Sequence, residues 1–420
     1  MKDILLQKLF EIDRWERAIE RGIEKDIDKA ELRKLCTPEI RVALYDAIVS
    51  GNYEIAPPHQ ALIPKGNGEF RTVYVNENLD RLFLSIVNDL FFELFPQKVH
   101  SACKSYQKGI GCGKVVQEVS RIVYESADEI VGWKADLTKF FDRVDIKYID
   151  NIFDEIEGKF GKSAIIDIVR KYYHTDLCFD PDGNLIEHYQ SLKQGCAVAS
   201  FLADAVLHHI DAELSSFPGY YARYSDDLLY VGPYYEETMA LLKMELDEMG
   251  LTLNPKKVEY LHKDRWFKFL GFNIKGNRIT LSKSRVKSFQ KEIEKRSIRN
   301  RKMTAKKAMN AINRYLYVGD GKHSWATQVL PIINVEKDID ELNKFVMDCI
   351  RACQTGKRKI GGLGSVSDKP DYTIIRGTGR NVTRNYERTL REIDGYKTIR
   401  CMQKDLLTDR DAYDTLVRCM

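Results

Sequence analysis

The chain has 420 residues, of which 44% are hydrophobic and 30% are charged, and its formal net charge is +4. This composition is typical of a large soluble globular protein, and no apolar run approaches the ~20 residues that a membrane span needs. The amino terminus lacks the layout of a signal peptide. The nine cysteines are scattered without a C-x-x-C pair, which argues against a zinc site and favours a reducing compartment. We therefore expect a cytoplasmic protein with no membrane partner.

Helices and one hairpin are predicted for the first part of the chain. Residues 1 to about 55 carry apolar residues at helical spacing, and Pro57-Pro58 then ends the pattern. Two strands joined by a Gly-Asn-Gly turn are expected within residues 60–75, followed by a helix over 78–95 that stops before a proline. The loop Gly109–Gly113 is not a nucleotide-binding fingerprint, because no strand leads directly into it.

The rest of the chain alternates between strand and helix patterns. The predicted elements are, in order, a strand over 130–137, helices within 147–173 and 196–215, a hairpin at 219–232, a helix at 234–249, a short strand pair around 267–279, a helical stretch over 283–353 with a loop near Gly319–Ser324, and a less periodic tail from Gly356.

The helical stretch begins with a dense run of basic residues. Between Lys283 and Lys307 there are eleven lysines and arginines against two glutamates. A basic face of this density suits the phosphate backbone of a nucleic acid. The alternative is a solvated helix surface with no ligand.

Two adjacent carboxylates, Asp226 and Asp227, lie between the β-prone runs Tyr220–Arg223 and Leu228–Val231. This layout predicts a hairpin with its carboxylates at the tip. Carboxylates so close together repel each other unless a cation such as Mg²⁺ neutralises them. Ordinary turn chemistry is the alternative explanation for the pair.

Three segments together indicate a chemical function: Asp136 at a strand end, Gln194-Gly195 before a helix, and the aspartate pair on the hairpin. Phosphoryl transfer with two metal ions needs carboxylates that bridge cations ~3.5–4 Å apart. A strand-end aspartate beside a hairpin tip would supply such a cluster from rigid elements.

In order and spacing, seven motifs resemble the palm of a reverse transcriptase of the bacterial group II intron and retron-like lineage. They are IPKGNGEFRTVYV, SYQKGIG, KADLTKFFDRVD, LKQGCAVASFLADAVLHHID, YSDDLLYVG, GLTLNPKKVEY and FLGFNI. The resemblance covers roughly residues 60 to 280 and implies an α+β fold, a right-hand polymerase with fingers, a palm with an antiparallel sheet, and a helical thumb. The domain boundaries it implies are a helical extension at 1–57, fingers and palm at 58–280, a thumb at 281–355 and a carboxyl-terminal extension at 356–420.

The resemblance also implies roles for individual residues. Asp136, Asp226 and Asp227 match the catalytic metal-binding aspartates, with the carbonyl of Leu137 completing the sphere around two Mg²⁺ ions or, alternatively, Mn²⁺. The residues matched to nucleotide binding are Lys65, Arg71, Phe141, Gln194, Gly195 and Lys257, with Lys256 as the rival of Lys257. Those matched to primer or template binding are Lys108, Tyr224, Leu270, Gly271, Lys283, Lys287 and Arg296.

Phe141 has a direct physical interpretation within this set. An aromatic ring beneath the sugar would clash with a ribose 2′-hydroxyl and so favour deoxynucleotides. Core packing is the alternative, and we expect it for the neighbouring Phe140.

The chain also departs from the group II pattern. It has Ala199-Ser200 where that pattern has Ser-Pro, Asp204 in place of the usual Asn, and Ser225 instead of the common Ala. It lacks a Cys/His nuclease module. These features, and the segment IRACQTGKRKIGGLGS, look more like the abortive-infection and "unknown group" reverse transcriptases linked to phage defence.

The function expected from the resemblance is an RNA-directed DNA polymerase that makes cDNA from dNTPs on a small structured non-coding RNA, in anti-phage defence. Three alternatives stay open: template-independent or protein-primed DNA synthesis by the same palm, a non-catalytic RNA-binding scaffold, and an RNA-dependent RNA polymerase. Whether the chain forms a homo-oligomer is open too.

Overall fold

The computed structural model describes residues 3–21, 27, 29–65, 69–107, 109–300, 303–318 and 324–355. The described residues fall into two compact units. The first comprises those within Met1–Gln107 and Gly132–Tyr260, and the second those within Lys108–Val131 and Leu261–Met420. The predicted extension at 356–420 lies outside the described residues, and the predicted domain boundaries stay predictions.

The helices of the described residues follow in chain order. They are α1 (Ile4–Leu9), α2 (Ile12–Arg21), α3 (Lys29–Leu35), α4 (Pro38–Val49), α5 (Asn78–Leu94), α6 (Cys112–Glu125), α7 (Phe140–Arg143), α8 (Ile146–Phe160), α9 (Ala164–Tyr173), α10 (Ala199–Val206), α11 (His208–Ser216), α12 (Tyr235–Glu248), α13 (Lys283–Lys295), α14 (Ala305–Asn313), α15 (Trp325–Gln328) and α16 (Glu336–Thr355). A 3-10 turn spans Pro96–Lys98, and a π-helical turn spans Arg314–Val318.

The strands form three sheets. They are β1 (His59–Pro64), β2 (Phe70–Val75), β3 (Ile130–Asp136), β4 (Leu177–Phe179), β5 (Leu185–Glu187), β6 (Tyr220–Tyr224), β7 (Asp227–Val231), β8 (Glu259–His262), β9 (Phe267–Phe269), β10 (Phe272–Lys275) and β11 (Arg278–Leu281). The sheet orders are β2-β1-β4-β5, β6-β7-β3-β8 and β11-β10-β9. Strands β3, β6 and β7 pair antiparallel, which confirms the predicted α+β class with an antiparallel central sheet.

The helices of the first unit pack their apolar faces into one core. Helix α5 buries Phe83, Leu90 and Phe91 completely, and strand β3 contributes Trp133. Apolar side chains at helical and at alternate positions produce these buried faces, and their burial is the main favourable contribution to folding. The core therefore provides a rigid support for the ends of β3 and β7.

Most of the predicted elements are present, with local differences. The predicted helical region 147–173 is two helices, because Gly161 adopts a left-handed φ of +83° and Ser163 then caps α9 through the backbone N–H of Ile165. The strand pair expected around 267–279 is the three-stranded meander β9–β11. The hairpin of β4 and β5 was not predicted, because its strands are only three residues long. No described helix is long and apolar enough to cross a membrane.

Candidate active site

The hairpin β6–β7 places its carboxylates as the sequence predicted. Tyr224 pairs with Asp227, and the two residues between them form the turn. Ser225 adopts a left-handed φ of +59°, which lets the chain reverse within two residues. The turn thereby places Asp226 at the tip of the hairpin and Asp227 at the start of β7.

The register of β3 against β7 brings a third aspartate to the same end of the sheet as the β6–β7 turn. Asp136, the last residue of β3, lies opposite Asp227. The N–H of Leu137 donates to the Asp226 carbonyl oxygen at 3.1 Å, so the end of β3 is tied directly to the turn. Two adjacent strands therefore present three carboxylates at one end of the sheet.

Burial and neighbouring charge raise the pKa values of Asp226 and Asp227. Burial, followed by the charges of Asp226 and Asp136, raises the pKa of Asp227 to about 6, while nearby Lys257 and Lys134 act in the opposite direction. Burial and the charge of Asp136 also raise the pKa of Asp226. Like charges held together in a partly desolvated cluster resist ionisation, and such clusters are typical of functional sites.

Lys257 neutralises the buried member of the cluster. Its Nζ lies 2.6 Å from Asp136 Oδ2, and the lysine side chain is 57% exposed while that of Asp136 is 9% exposed. The loop that carries it is fixed to β3, because the N–H of Asn254 donates to the Asp136 carbonyl at 2.8 Å. Lys256, the predicted rival, donates its backbone N–H to Asn254 Oδ1. Of the two lysines, Lys257 is the one that contacts an aspartate of the cluster.

The donor chemistry of this cluster fits a hard divalent cation, because carboxylate and backbone carbonyl oxygens are the ligands such cations prefer. Burial and the neighbouring carboxylates raise the pKa values of Asp226 and Asp227, and a bound cation would favour the ionised forms of both side chains. Among the described residues, however, no group of three or more His, Cys, Asp or Glu side chains is arranged to hold a metal ion as it stands. In this structure Lys257 supplies the positive charge at Asp136.

The loop before α10 contacts strand β2. The N–H of Tyr74 donates to the Gln194 carbonyl at 2.7 Å. Gly195 has a φ of +107°, and a Cβ there would lie 2.8 Å from the Tyr74 carbonyl oxygen. Glycine at this position therefore lets the loop approach the backbone of β2 closely.

A buried lysine supports the same loop, and sequence analysis missed it. Lys193 is 1% exposed, and its Nζ donates to the Thr175 carbonyl at 2.7 Å and to Gln190 Oε1 at 3.0 Å. Burial lowers the pKa of Lys193 to about 8. The only signal in the sequence was its position directly before Gln194.

The other nucleotide-binding candidates of the first unit lie on separate elements: Lys65 follows β1, Arg71 is on β2 and Phe141 is in α7. Arg71, on β2, is exposed, and its charge is among those that lower the pKa of Asp226. Lys65 is also exposed and lies 3.9 Å from Glu69 Oε2. Phe141 is half-buried and packs edge-on against Phe140, with ring centroids 5.4 Å apart. Phe140 is buried in the core, as expected.

Apart from Tyr224 on β6, the primer and template candidates fall within the second unit. Leu270 and Gly271 form the turn between β9 and β10, both with positive φ. Lys283 and Lys287 are exposed on α13. Arg296 forms an ion pair with Glu292, and its guanidinium lies 4.2 Å from the Tyr315 ring centroid, so it is engaged within the chain. Lys108 lies outside the described residues.

Comparison with known proteins identifies the family. Residues 63–274, just over half of the chain, match the reverse transcriptase (RNA-dependent DNA polymerase) family. The chain belongs to the reverse transcriptase family. This assignment confirms the predicted enzyme class, and with it the right-hand polymerase fold. No curated protein matches the sequence.

Solved structures similar to this reverse transcriptase include fungal telomerases. An apo telomerase from Candida tropicalis, truncated from its C-terminal domain, is 15% identical with a TM-score of 0.40, covering 56% of this chain and 59% of that one. The apo telomerase of the same species is 11% identical with a TM-score of 0.46, covering 82% and 76%. Telomerase from Candida albicans with a fragment of telomeric RNA is 13% identical with a TM-score of 0.45, covering 91% and 70%. This chain thus spans 59% of the length of the first of these proteins, and such weak likenesses add nothing to the family assignment.

Proposed function

We propose that this reverse transcriptase is an RNA-directed DNA polymerase that copies a small structured RNA in bacterial anti-phage defence. The main observation in support of polymerase activity is the pairing of Asp136 with Asp227 across β3 and β7, with Asp226 at the adjoining turn. The defence role and the bacterial lineage are supported by the motif departures at Ala199-Ser200 and Asp204.

The three aspartates would hold the divalent cations, which when bound supply activation of the attacking 3′-hydroxyl and stabilisation of the leaving pyrophosphate. Lys257 is positioned to neutralise negative charge beside Asp136. Arg71 carries a planar guanidinium suited to bidentate phosphate contact. Phe141 would exclude a ribose 2′-hydroxyl from the nucleotide site.

The template would be held by helix α13. Lys283, Lys287, Lys291 and Lys295 recur at every fourth position and are all exposed, so they form a stripe along one face of the helix. A row of ammonium groups binds a phosphate backbone through shape and charge, without base readout. We expect RNA affinity to fall steeply with salt, and replacing one lysine of the stripe with glutamine to reduce the slope of log K against log salt by about 1.

Copurification tests this proposal most economically. The protein is isolated from cells, the bound RNA and DNA are sequenced, and the sample is supplied with labelled dNTPs and Mg²⁺. A single structured RNA with cDNA complementary to part of it supports the proposal. Bound RNA without nucleotide incorporation would contradict it and favour a scaffold. For the defence role, phage plating efficiency is compared between cells carrying wild type and Asp226→Asn; equal protection by the two would refute a role for polymerisation.

A protein-primed start is the second candidate, favoured by one observation. Tyr106 is 48% exposed, has a left-handed φ of +55°, and its hydroxyl lies 3.5 Å from Ser225 Oγ at the turn. Its oxygen would replace the primer 3′-hydroxyl, forming a bond to the α-phosphorus while pyrophosphate leaves and the hydroxyl proton passes to solvent. DNA covalently attached to wild type and absent from Tyr106→Phe would support this start, whereas protein-free DNA from both would exclude it.

A further inference from the structure

A buried arginine connects the catalytic turn to the helices behind the sheet. Arg223, in strand β6, has a fully buried side chain. Its Nη1 donates to the carbonyl oxygen of Ser225 at 3.2 Å, directly before Asp226. Its Nε and Nη2 form a fork with the two carboxylate oxygens of Asp211, at 2.8 and 2.6 Å. One side chain therefore links α11 to the turn.

All three nitrogens of this guanidinium donate hydrogen bonds, four in total. In addition to the fork and the turn carbonyl, Nη2 donates to the Asp204 carbonyl at 3.0 Å, and Nη1 lies 3.6 Å from Asp204 Oδ1. Arginine has five N–H donors in a fixed plane, whereas lysine is a compact point charge on a flexible stem. A lysine at this position would keep the positive charge between the two buried carboxylates but could not span Asp211 and the turn together.

Asp204 extends the same network to the segment 102–107, in which the Tyr106 hydroxyl lies 3.5 Å from Ser225 Oγ of the turn. Its carboxylate accepts from Ser105 Oγ at 2.8 Å and from Gln107 Nε2 at 3.5 Å, on either side of Tyr106. The backbone of Arg223 is also paired with this segment, since its N–H donates to the Ala102 carbonyl at 2.9 Å. The guanidinium thus lies where the turn, two helices and the neighbouring segment meet.

We propose that Arg223 is a positioning residue for nucleotide incorporation, which fixes the Ser225-Asp226 turn against Asp136 through the Ser225 carbonyl while Asp211 and Asp204 hold its guanidinium. This inference rests on the proposed polymerase function. Arg223 touches none of the reacting groups. It acts by holding Asp226 in the geometry that the reaction needs, and small displacements of such groups are costly: a misplacement of 1 Å can lower the rate about 100-fold.

Arg14 provides a matched control. It is 4% exposed, forms a fork with Glu93 at 3.0 and 2.8 Å, and donates from Nε to the Lys8 carbonyl at 2.8 Å. Arg14→Lys therefore removes the same kind of bonding from another buried arginine, between α2 and α5 and outside the catalytic network, although its partner Glu93 is half-exposed. Melting temperatures of Arg223→Lys and Arg14→Lys establish how much stability each variant loses.

Two readouts then separate positioning from stability. The first is hydrogen exchange of the β6–β7 hairpin and of the Leu137 amide, which needs no activity. The second is single-nucleotide incorporation on a primed RNA. Relative to Arg14→Lys, we expect Arg223→Lys to exchange faster at the hairpin and to lower kcat about 100-fold, with the KM for dNTP within about twofold of wild type. If Arg223→Lys fails to fold, Asp204→Asn, which keeps the side-chain size, should show the same changes to a smaller degree.

The outcomes are distinguishable. Incorporation and hairpin exchange by Arg223→Lys equal to those of Arg14→Lys, with wild type active, would overturn the inference and leave the polymerase proposal intact. A wild type that binds RNA but incorporates nothing would refute the polymerase function. Hydrogen exchange would still decide whether Arg223 holds the turn.

Discussion

Replacing Asp227 by asparagine should stabilise the protein in the absence of divalent cations. Burial and the neighbouring carboxylates raise the pKa of Asp227 to about 6, from an ordinary 3.8. The folded protein therefore holds this proton more tightly than the unfolded chain, and stability is lost as the pH rises from about 4 to above 6. The difference between the two pKa values corresponds to a loss of at most about 3 kcal/mol in the free energy of unfolding at pH values above that range.

The assay is thermal unfolding in chelator from pH 4.5 to 7.5. The melting temperature of Asp227→Asn should equal that of wild type at the acid end of this range. As the pH rises it should exceed the wild-type value, by up to about 6 °C. Added Mg²⁺ should reduce this difference in melting temperature, because it should stabilise wild type more than the variant. Asp180→Asn is the control of opposite sign, because hydrogen bonds from Asn184 lower the pKa of Asp180, so this variant should lose stability at neutral pH. An Asp227→Asn protein no more stable than wild type at pH 7.5 in chelator would refute the argument from repulsion.

Three further substitutions test the site. Phe141→Ala should admit ribonucleotides, measured as rNTP against dNTP incorporation; no gain in rNTP use would remove its assignment as a steric gate. Gly195→Ala should lower the melting temperature, because the added Cβ clashes with the backbone of β2. Gly183→Ala, with a comparable positive φ but open space around it, should lower the melting temperature less. Equal melting temperatures for the two variants would show that the close approach is unimportant. Lys257→Met should reduce incorporation far more than Lys256→Met, because it alone removes the ion pair at the end of β3, and equal activities would contradict this role.

The carboxylate cluster was predictable because its strands are marked by local sequence patterns. The β-prone runs Tyr220–Arg223 and Leu228–Val231 on either side of Asp226 and Asp227 indicate a hairpin, and a strand ending at Asp136 can join it in only a few ways. The structure confirms both elements and their pairing. The metal set and the individual nucleotide and nucleic-acid contacts stay predictions.

The supporting residues were not predictable, because their partners are distant in sequence. Arg223 looked like a strand residue beside the turn, and Asp204 was noted only as a departure from the family pattern. Their connection depends on how α10 and α11 pack behind the sheet. Lys193 is similar, since its acceptor is the carbonyl of Thr175, 18 residues earlier.

The central claim is that the clustered aspartates support DNA synthesis, and single-nucleotide extension of a primed RNA tests it most directly. The comparison is between wild type, Asp226→Ala with Asp227→Ala, and a control that removes an exposed acidic pair, Glu236→Ala with Glu237→Ala. We predict extension by wild type and the control, no extension by the aspartate double variant, and similar RNA binding by all three. Extension by the aspartate double variant at the wild-type rate would contradict the assignment of the active site.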